Sequence, residues 1–572
     1  MLSLLKPAAL RLGITIFTGL LFGTAFLSAI DTAPLWRQAL GGKINAYPAQ
    51  GPGGAVYIIA DNRAVHSINP LTGETQWRYR PGGKLLNTLL AAPDGTIYVQ
   101  NDRQELFAIT PGGTGRWKML MQADAAALPA ASPDGRLLVP LNSRRIVCVS
   151  RFGEILWSRD ESAEASSAPA VDSDGNFWLP LTDGRILILN PWGNTAGEHS
   201  DSEPAAVLAL DSQGKIWAGG IHGGVKALKF SADTLTEVFR TPIAGSRTAA
   251  ILTNSSGGGL VFYQDGSVFE VSPTGKLRSL SKQAMSGGHP SQALDSTIFS
   301  PAADGSIQVT QLSGESTVLR TESVLAEPLL TEEGILIAGG DDWILYGWNI
   351  GVPPGEGWSQ FRGTVQRSGS LFSERTLYSR AEARKHPGFL VREIMAQSSD
   401  ISQQLALIAE LESYKNELKM YRELPWANLL LQDMAANGTI RHPSLASGGI
   451  VREKTYTLIG RSLDFRMKDF LLECLKLEND PGALASGFLA LGTLGTDTNG
   501  ASIRLIAGKY RQFPLKNERL TLAAAAALAA IQRYNGTITD PAGYQLMEYL
   551  LSYGSSQKIR NEIRKLFQMK EL

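Results

Sequence analysis

The sequence repeats itself. Thr72-Gly73-Glu74-Thr75-Gln76-Trp77 returns as Gly113-Thr114-Gly115-Arg116-Trp117 and again as Gly153-Glu154-Ile155-Leu156-Trp157. The tryptophans therefore fall at a period of about 40 residues, which restricts a chain to a propeller or a solenoid, since each unit must bury its apolar face against the next. Between these signatures lie paired runs of apolar and aromatic residues. The first run of each pair occupies 55–58, 96–99, 136–139, 176–179, 215–218, 259–262, 296–299 and 334–337. The second occupies 65–68, 106–109, 146–149, 186–189, 225–228, 268–271, 307–310 and 344–347. Asp-Gly turns such as Asp94-Gly95, Asp134-Gly135 and Asp174-Gly175 bound them, as hairpin strands require. Eight such repeats, each long enough for a four-stranded blade, predict an eight-bladed propeller over residues 34–370.

The pattern also predicts how the ring closes. Trp36-Arg37-Gln38-Ala39-Leu40-Gly41-Gly42-Lys43 matches Trp77-Arg78-Tyr79-Arg80-Pro81-Gly82-Gly83-Lys84, so the chain starts on a tryptophan strand with no blade before it. The eighth repeat ends at Trp348-Asn349-Ile350 without its own signature. The N-terminal strand is expected to complete the last blade, removing two free sheet edges at once.

Ile68-Asn69-Pro70-Leu71-Thr72-Gly73-Glu74-Thr75-Gln76-Trp77 resembles the tryptophan-docking motif of the PQQ-like, quinoprotein-type β-propeller repeat. Gly340-Asp341-Asp342-Trp343-Ile344-Leu345-Tyr346-Gly347-Trp348 is similar to the final hairpin of such proteins. Trp358-Ser359-Gln360-Phe361-Arg362-Gly363, followed by Gln366-Arg367-Ser368-Gly369, is similar to a segment that flanks them. The likeness is strong in the first three repeats and weakens from Trp192 onward, where the signature tryptophan is lost. On this reading Trp77, Trp117 and Trp157 join successive blades and Trp36 closes the ring. The off-register Trp192 and Trp343 are freer to meet a partner.

After Gly369 glycine-punctuated strands give way to Ala, Leu, Glu, Lys and Arg at helical spacing. Helices are expected over 401–421, 464–478, 482–494, 503–513, 518–534, 544–553 and 557–570, with Pro481, Pro514, Gly536 and Pro541 between them. Pairs of these recur at about the spacing of HEAT-type repeats. The alanine run 523–530 suits close helix approach in the inner layer of a solenoid. A HEAT-like solenoid and an irregular bundle are the two architectures open to residues 371–572.

Residues 1–30 differ in kind. Lys6 and Arg11 precede an uncharged run ending in Ser28 and Ala29, the layout of a secretory signal, and the run is also long enough to be an uncleaved anchor. Either implies export, with membrane association available through this segment. Lys plus Arg and Asp plus Glu both total 54, so global charge gives no argument for nucleic acid. Cys148 and Cys474 lie in different predicted domains, which disfavours a structural disulfide.

No catalytic constellation emerges. The resemblance raises a PQQ-dependent quinoprotein dehydrogenase as the alternative function, and implies a quinone cofactor in the channel, a calcium ion, an aspartate base and usually adjacent cysteines. Adjacent cysteines are missing, and Cys148 aligns with Ser67, Ala108, Ala227 and Gly347 as a small packing residue. His66, His199, His222, His289, His386 and His442 show no zinc-ligand spacing. Asp172-Ser173-Asp174-Gly175 reads as a turn rather than a calcium loop. Gly51-Pro52-Gly53-Gly54 and Gly257-Gly258-Gly259 lack the helix and lysine of a phosphate cradle. No catalytic, cofactor-binding or metal residue is therefore assigned. The expectation is a non-catalytic exported scaffold of the bacterial cell envelope or periplasm that binds protein partners. Its propeller is similar to that of outer-membrane-protein assembly lipoproteins of the BamB type, although the chain has no lipidation cysteine.

Overall fold

A computed structural model describes residues 31–567 apart from 281–288, 372–379, 415–425, 438–447 and several shorter stretches. The leader expected over 1–30, together with His442, lies outside the described residues. The β-rich half forms eight four-stranded antiparallel sheets, the blades of a propeller. Blades 1 to 7 span residues 49–79, 90–120, 130–160, 170–200, 205–240, 248–279 and 291–319. Blade 8 combines 329–349 with the N-terminal strand Trp36–Ala39. Within a blade, strands a to d run from the central channel outward. Strands b and c, such as Val56–Ala60 and Ala64–Ile68, are buried at every position because neighbouring blades cover both faces. That is why they read as continuous apolar runs rather than alternating ones. Strand d, on the rim, keeps more solvent contact.

The ring closes as the sequence predicts. Trp36–Ala39 pairs antiparallel with Ile344–Asn349, placing Trp36 opposite Gly347. Trp348 Nε1 donates to the Thr32 carbonyl from 316 residues away.

The signature tryptophans and glycines form one repeated contact. Trp36, Trp77, Trp117 and Trp157 donate through Nε1 to the carbonyls of Pro70, Pro111, Arg151 and Pro191 in the next blade, each 34 residues on, at 2.8, 2.8, 2.8 and 3.0 Å. Each ring lies on the glycine that follows that carbonyl. A Cβ on Gly73, Gly113, Gly153 or Gly193 would come within 2.5–2.7 Å of the indole. Glycine is needed twice over, since all four also have φ between 75° and 83°. Across the ladder each indole faces a small residue: Gly347, Ser67, Ala108 or Cys148. Cys148 is fully buried there, which fits its reading as a packing residue.

Beyond blade 3 the device changes. In blade 4 Gly197 stands where the tryptophan would be and Ile188 faces it, so the large and small partners have exchanged strands. Phe230 of blade 5 closes over the gap, 3.2 Å from where a Gly197 Cβ would sit. In blade 5 Phe239 takes the tryptophan's place opposite Ala227 and lies on Gly275. The d strands of blades 6 and 7, Leu277–Ser279 and Ser316–Leu319, carry no aromatic residue.

The second half is helical: α1 (Arg380–Ala383), α2 (Phe389–Gln397), α3 (Ile401–Glu412), α4 (Ala427–Ala436), α5 (Gly449–Ser462), α6 (Met467–Leu477), α7 (Pro481–Leu494), α8 (Ala501–Arg511), α9 (Glu518–Asn535), α10 (Pro541–Ser552) and α11 (Gln557–Leu566). Helices α1, α2, α4 and α5 are additions to the sequence-based expectation. α5 was hidden by its β-branched Ile450, Val451, Thr455, Thr457 and Ile459, whose weak helix preference is overridden by packing. Alternate helices stack: α5 on α7, α7 on α9 and α9 on α11, while α6, α8 and α10 form a second layer. Small residues let the first layer close up. A Cβ on Gly460 would lie 2.9 Å from Ala490 Cα, and one on Gly492 would lie 2.8 Å from Ala527 Cα. Most of the alanine run is thus a buried face of α9, packed against α7. No helix among the described residues is long and apolar enough to cross a membrane.

The helical half docks on blades 2 and 3, on the channel face carrying the turns between strands a and b. Tyr534 Oη donates to the Asp94 carbonyl at 2.7 Å, and the backbones at Gly112 and Gly536 meet so closely that a Cβ on Gly112 would lie 2.4 Å from Gly536 Cα. Arg116 stacks over Tyr534 and Arg151 over Phe465. Between them the fully buried Asp94 carboxylate lies 3.5 Å from Arg116 and 3.1 Å from Arg151. Burial alone would raise its pKa, but Arg151 and Arg116 hold it below the ordinary value.

Candidate functional site

The channel is filled by the chain itself. After blade 8, residues 353–370 cross the channel and bond to the inner strands. The Thr253, Gln292, Ala91, Ala131 and Val171 amides donate to the carbonyls of Trp358, Ser359, Gln366, Ser368 and Gly369. Gln360 pairs with both backbone groups of Leu330, at 2.9 and 2.8 Å, and accepts from Ser291. Arg362 donates to the carbonyls of Leu128, Pro129 and Pro169, and Arg367 to those of Pro48 and Pro328. The tight path demands left-handed backbone, and at Gly369 (φ 76°) a Cβ would strike the Arg362 guanidinium. The segment that sequence alone placed beside the propeller is its plug.

Phe361 stands at the centre. His289 stacks on it at 4.0 Å, Tyr47 tilts against it at 4.7 Å, and the Arg367 guanidinium lies 5.4 Å from its ring. Burial pushes Glu327 up to about 7, against the pull of Arg367. Burial, with Arg367 and Arg362 nearby, lowers His289 to about 3 and keeps it neutral. Burial also lowers Arg362 to about 9 and Arg367 to about 10.

Below the plug, at the mouth away from the helical half, lies a cavity of about 280 Å³. Its walls are the starts of the inner strands of blades 3 to 7, and its floor is Trp358, Gln360, Phe361 and Arg362. A second cavity of about 690 Å³ lies on the opposite face, between the plug's entry at 353–359 and the turns at Ser173 and at 211–214.

The residues weighed in sequence fall apart in space. Cys148 and Cys474 are buried in separate halves. His66 is a buried strand residue opposite Ile58 and Arg78, lowered to about 4 by burial and by Arg78 and Arg80. No group of His, Cys, Asp or Glu that could hold a metal ion occurs among the described residues. Asp172 is a turn residue, as expected: it accepts from the amides of Asp174 and Asn176 and from Trp178 Nε1 at 2.9 Å. Asp211 repeats that bond to Trp217 at 3.1 Å. Trp192 lies under Arg136, whereas Trp343 is 54% exposed. In sequence Asp94 is only a turn residue; its burial at the junction of the two halves depends on Tyr534 and has no signal in the repeat.

The profile of the family described as outer membrane protein assembly factor BamB matches residues 24–111 and 102–324, together more than half of the chain. The chain belongs to that family. Solved structures similar to this BamB-family chain include BamB from Moraxella catarrhalis, at 15% identity and TM-score 0.47 over 55% of this chain and 99% of that one. The computationally designed Ika8 protein follows at 17% identity and TM-score 0.46, over 55% and 98%. Sqt1 of Saccharomyces cerevisiae is similar at 10% identity and TM-score 0.47, over 55% and 98%. No curated protein sequence matches the chain.

The channel of this BamB-family propeller does not fit a quinone with calcium. The plug crosses it, the cavity at the mouth has no carboxylate in its lining, Asp211 in the lining of the opposite cavity is already engaged by Lys215 and Trp217, and the buried Glu327 faces Arg367.

Proposed function

We propose that the chain is a non-catalytic protein-binding scaffold of the bacterial cell envelope, exported through its N-terminal segment, that serves the assembly of outer-membrane proteins. The plugged channel carries this reading: a propeller whose core is packed with its own arginines and phenylalanine offers faces rather than a reaction chamber. Family membership supplies the assembly context, and the helical half, a HEAT-like stack from residue 371 onward, adds a second surface. Trp343 and the exposed Leu390, Val391 and Ile394 of α2 are the contact points to probe. Photo-crosslinkers placed there in cells should capture outer-membrane β-barrel precursors or their assembly components, and deletion should lower the amount of barrels in the outer membrane. Unchanged barrel levels, or calcium-dependent dye reduction after reconstitution with PQQ, would sink the proposal and favour the quinoprotein dehydrogenase.

A further inference from the structure

We infer that the open mouth of the channel is a binding site for a carboxylate carried on an apolar body. Three features of the cavity converge on that chemistry. Its walls are mostly apolar: Leu128, Leu208, Ile251, Pro290, Trp358 and Phe361. Its charged groups are of one sign, Arg247 at the exposed rim and Arg362 at the floor, with no Asp or Glu in the lining. Its lining includes Ser167, whose buried Oγ has no hydrogen-bond partner among the described residues, while the neighbouring Ser166 Oγ donates to the Ala205 carbonyl.

The two arginines differ from the other cation of the channel. Arg367 has Glu327 as its counter-charge. Arg362 is 5% exposed and bonds only to carbonyls, with no carboxylate in reach among the described residues. Arg247 forms no side-chain hydrogen bond or ion pair with a described residue. A buried cation held by dipoles alone is stabilised further by an anion that brings the missing charge. His289 does not supply a competing cation, because it is kept neutral against Phe361. The cavity, about 280 Å³, falls just below the usual range for small-ligand sites, roughly 300 Å³ upward, which limits the occupant to a small one. An acid with one ring-sized apolar group therefore suits the space. Such a group arrives either as a free aromatic or aliphatic acid, or as the apolar C-terminal residue of a polypeptide. The inference goes beyond the scaffold reading and does not depend on it, because it is read on purified protein.

Calorimetric titration of the full chain tests it with four probes: phenylacetate, phenylacetamide, acetyl-Gly-Gly-Phe with a free C-terminus, and the same peptide as its amide. At least one acid should bind, with its amide weaker by about tenfold or more, the scale of a lost charged hydrogen bond. Binding of the peptide acid alone identifies a polypeptide end as the source, and binding of phenylacetate alone a free acid. Arg247→Ala, at an exposed position, should weaken binding by about tenfold while leaving the melting temperature in place. Ser167→Phe should fill the cavity and abolish binding. If acids and amides bind alike, if neither acid binds, or if Arg247→Ala binds as the parent does, the inference is wrong.

Discussion

Two stretches of one ring hold their blades together differently. From blade 8 through blade 4, each junction is made by an indole bonded to a carbonyl and seated on a glycine of the next blade. From blade 4 onward, Phe230 and Phe239 pack without that hydrogen bond, and then no aromatic residue spans the junction from strand d. Yet blades 6, 7 and 8 have the same four strands as the others. Blade geometry therefore does not depend on the indole pin. In the unpinned stretch Trp358, Ser359 and Gln360 of the plug bond to blades 6, 7 and 8 in turn, so tethering to the axis accompanies the loss of rim-side pins.

The sharpest way to break this comparison is to loosen the plug. Arg367→Ala would leave Glu327 buried without its cation and the Pro48 and Pro328 carbonyls without a donor. A loss of about 3–5 kcal/mol in urea-unfolding stability is expected, more than for any single pin. Next comes the pinned stretch. Gly113→Ala forces a Cβ into the Trp77 ring at positive φ and should cost about 2–3 kcal/mol. Gly214→Ala, also at positive φ but with nothing within 4 Å, should cost only about 1 kcal/mol. Equal losses would show that the indole contact contributes nothing.

Titration separates the stretches again. His66, in pinned blade 1, has a folded pKa of about 4 against an ordinary 6.5, so the folded state binds fewer protons between those values and stability rises with pH across that window. His66→Phe should remove about 2 kcal/mol of the difference between pH 5 and pH 8. Glu327, beside blade 8, has a folded pKa of about 7 against 4.5, so it binds more protons when folded and lowers stability as pH rises from 4.5 to 7. Glu327→Gln should therefore steepen the rise that His66→Phe flattens; unfolding curves from pH 4.5 to 8 read both. Trp117→Phe sits at the small end of the scale beside Gly214→Ala: it deletes one hydrogen bond to the Arg151 carbonyl, about 1 kcal/mol, plus a modest packing loss.

The ring was legible because its unit is redundant. Three copies of a Gly and Trp signature fixed the period, and the period located strands b and c even where the signature had gone. The innermost strands were not legible: Leu90–Ala91 or Ala130–Ala131 spans only two residues, too few to show any alternation. The plug was visible as a motif but not as a plug, because its partners are backbone groups spread over blades 1 to 4 and 6 to 8. Nor could α5 be read, since its helix is imposed by α7 and α4 against its own β-branched content. The cavity at the mouth has no motif, being formed by residues from five blades that share only their position on a strand.

Ring closure has a consequence in time. The strand Trp36–Ala39 emerges before every other strand of the propeller, while its partner Ile344–Asn349 comes after all of them. Until then that strand has no sheet to join, although Trp36 and the Gly73 on which it is seated are both already made. The plug follows later still in sequence. A chain halted anywhere before residue 344 would therefore be an open arc with an exposed strand at its leading end, the very form to which a chaperone or a protease would have longest access.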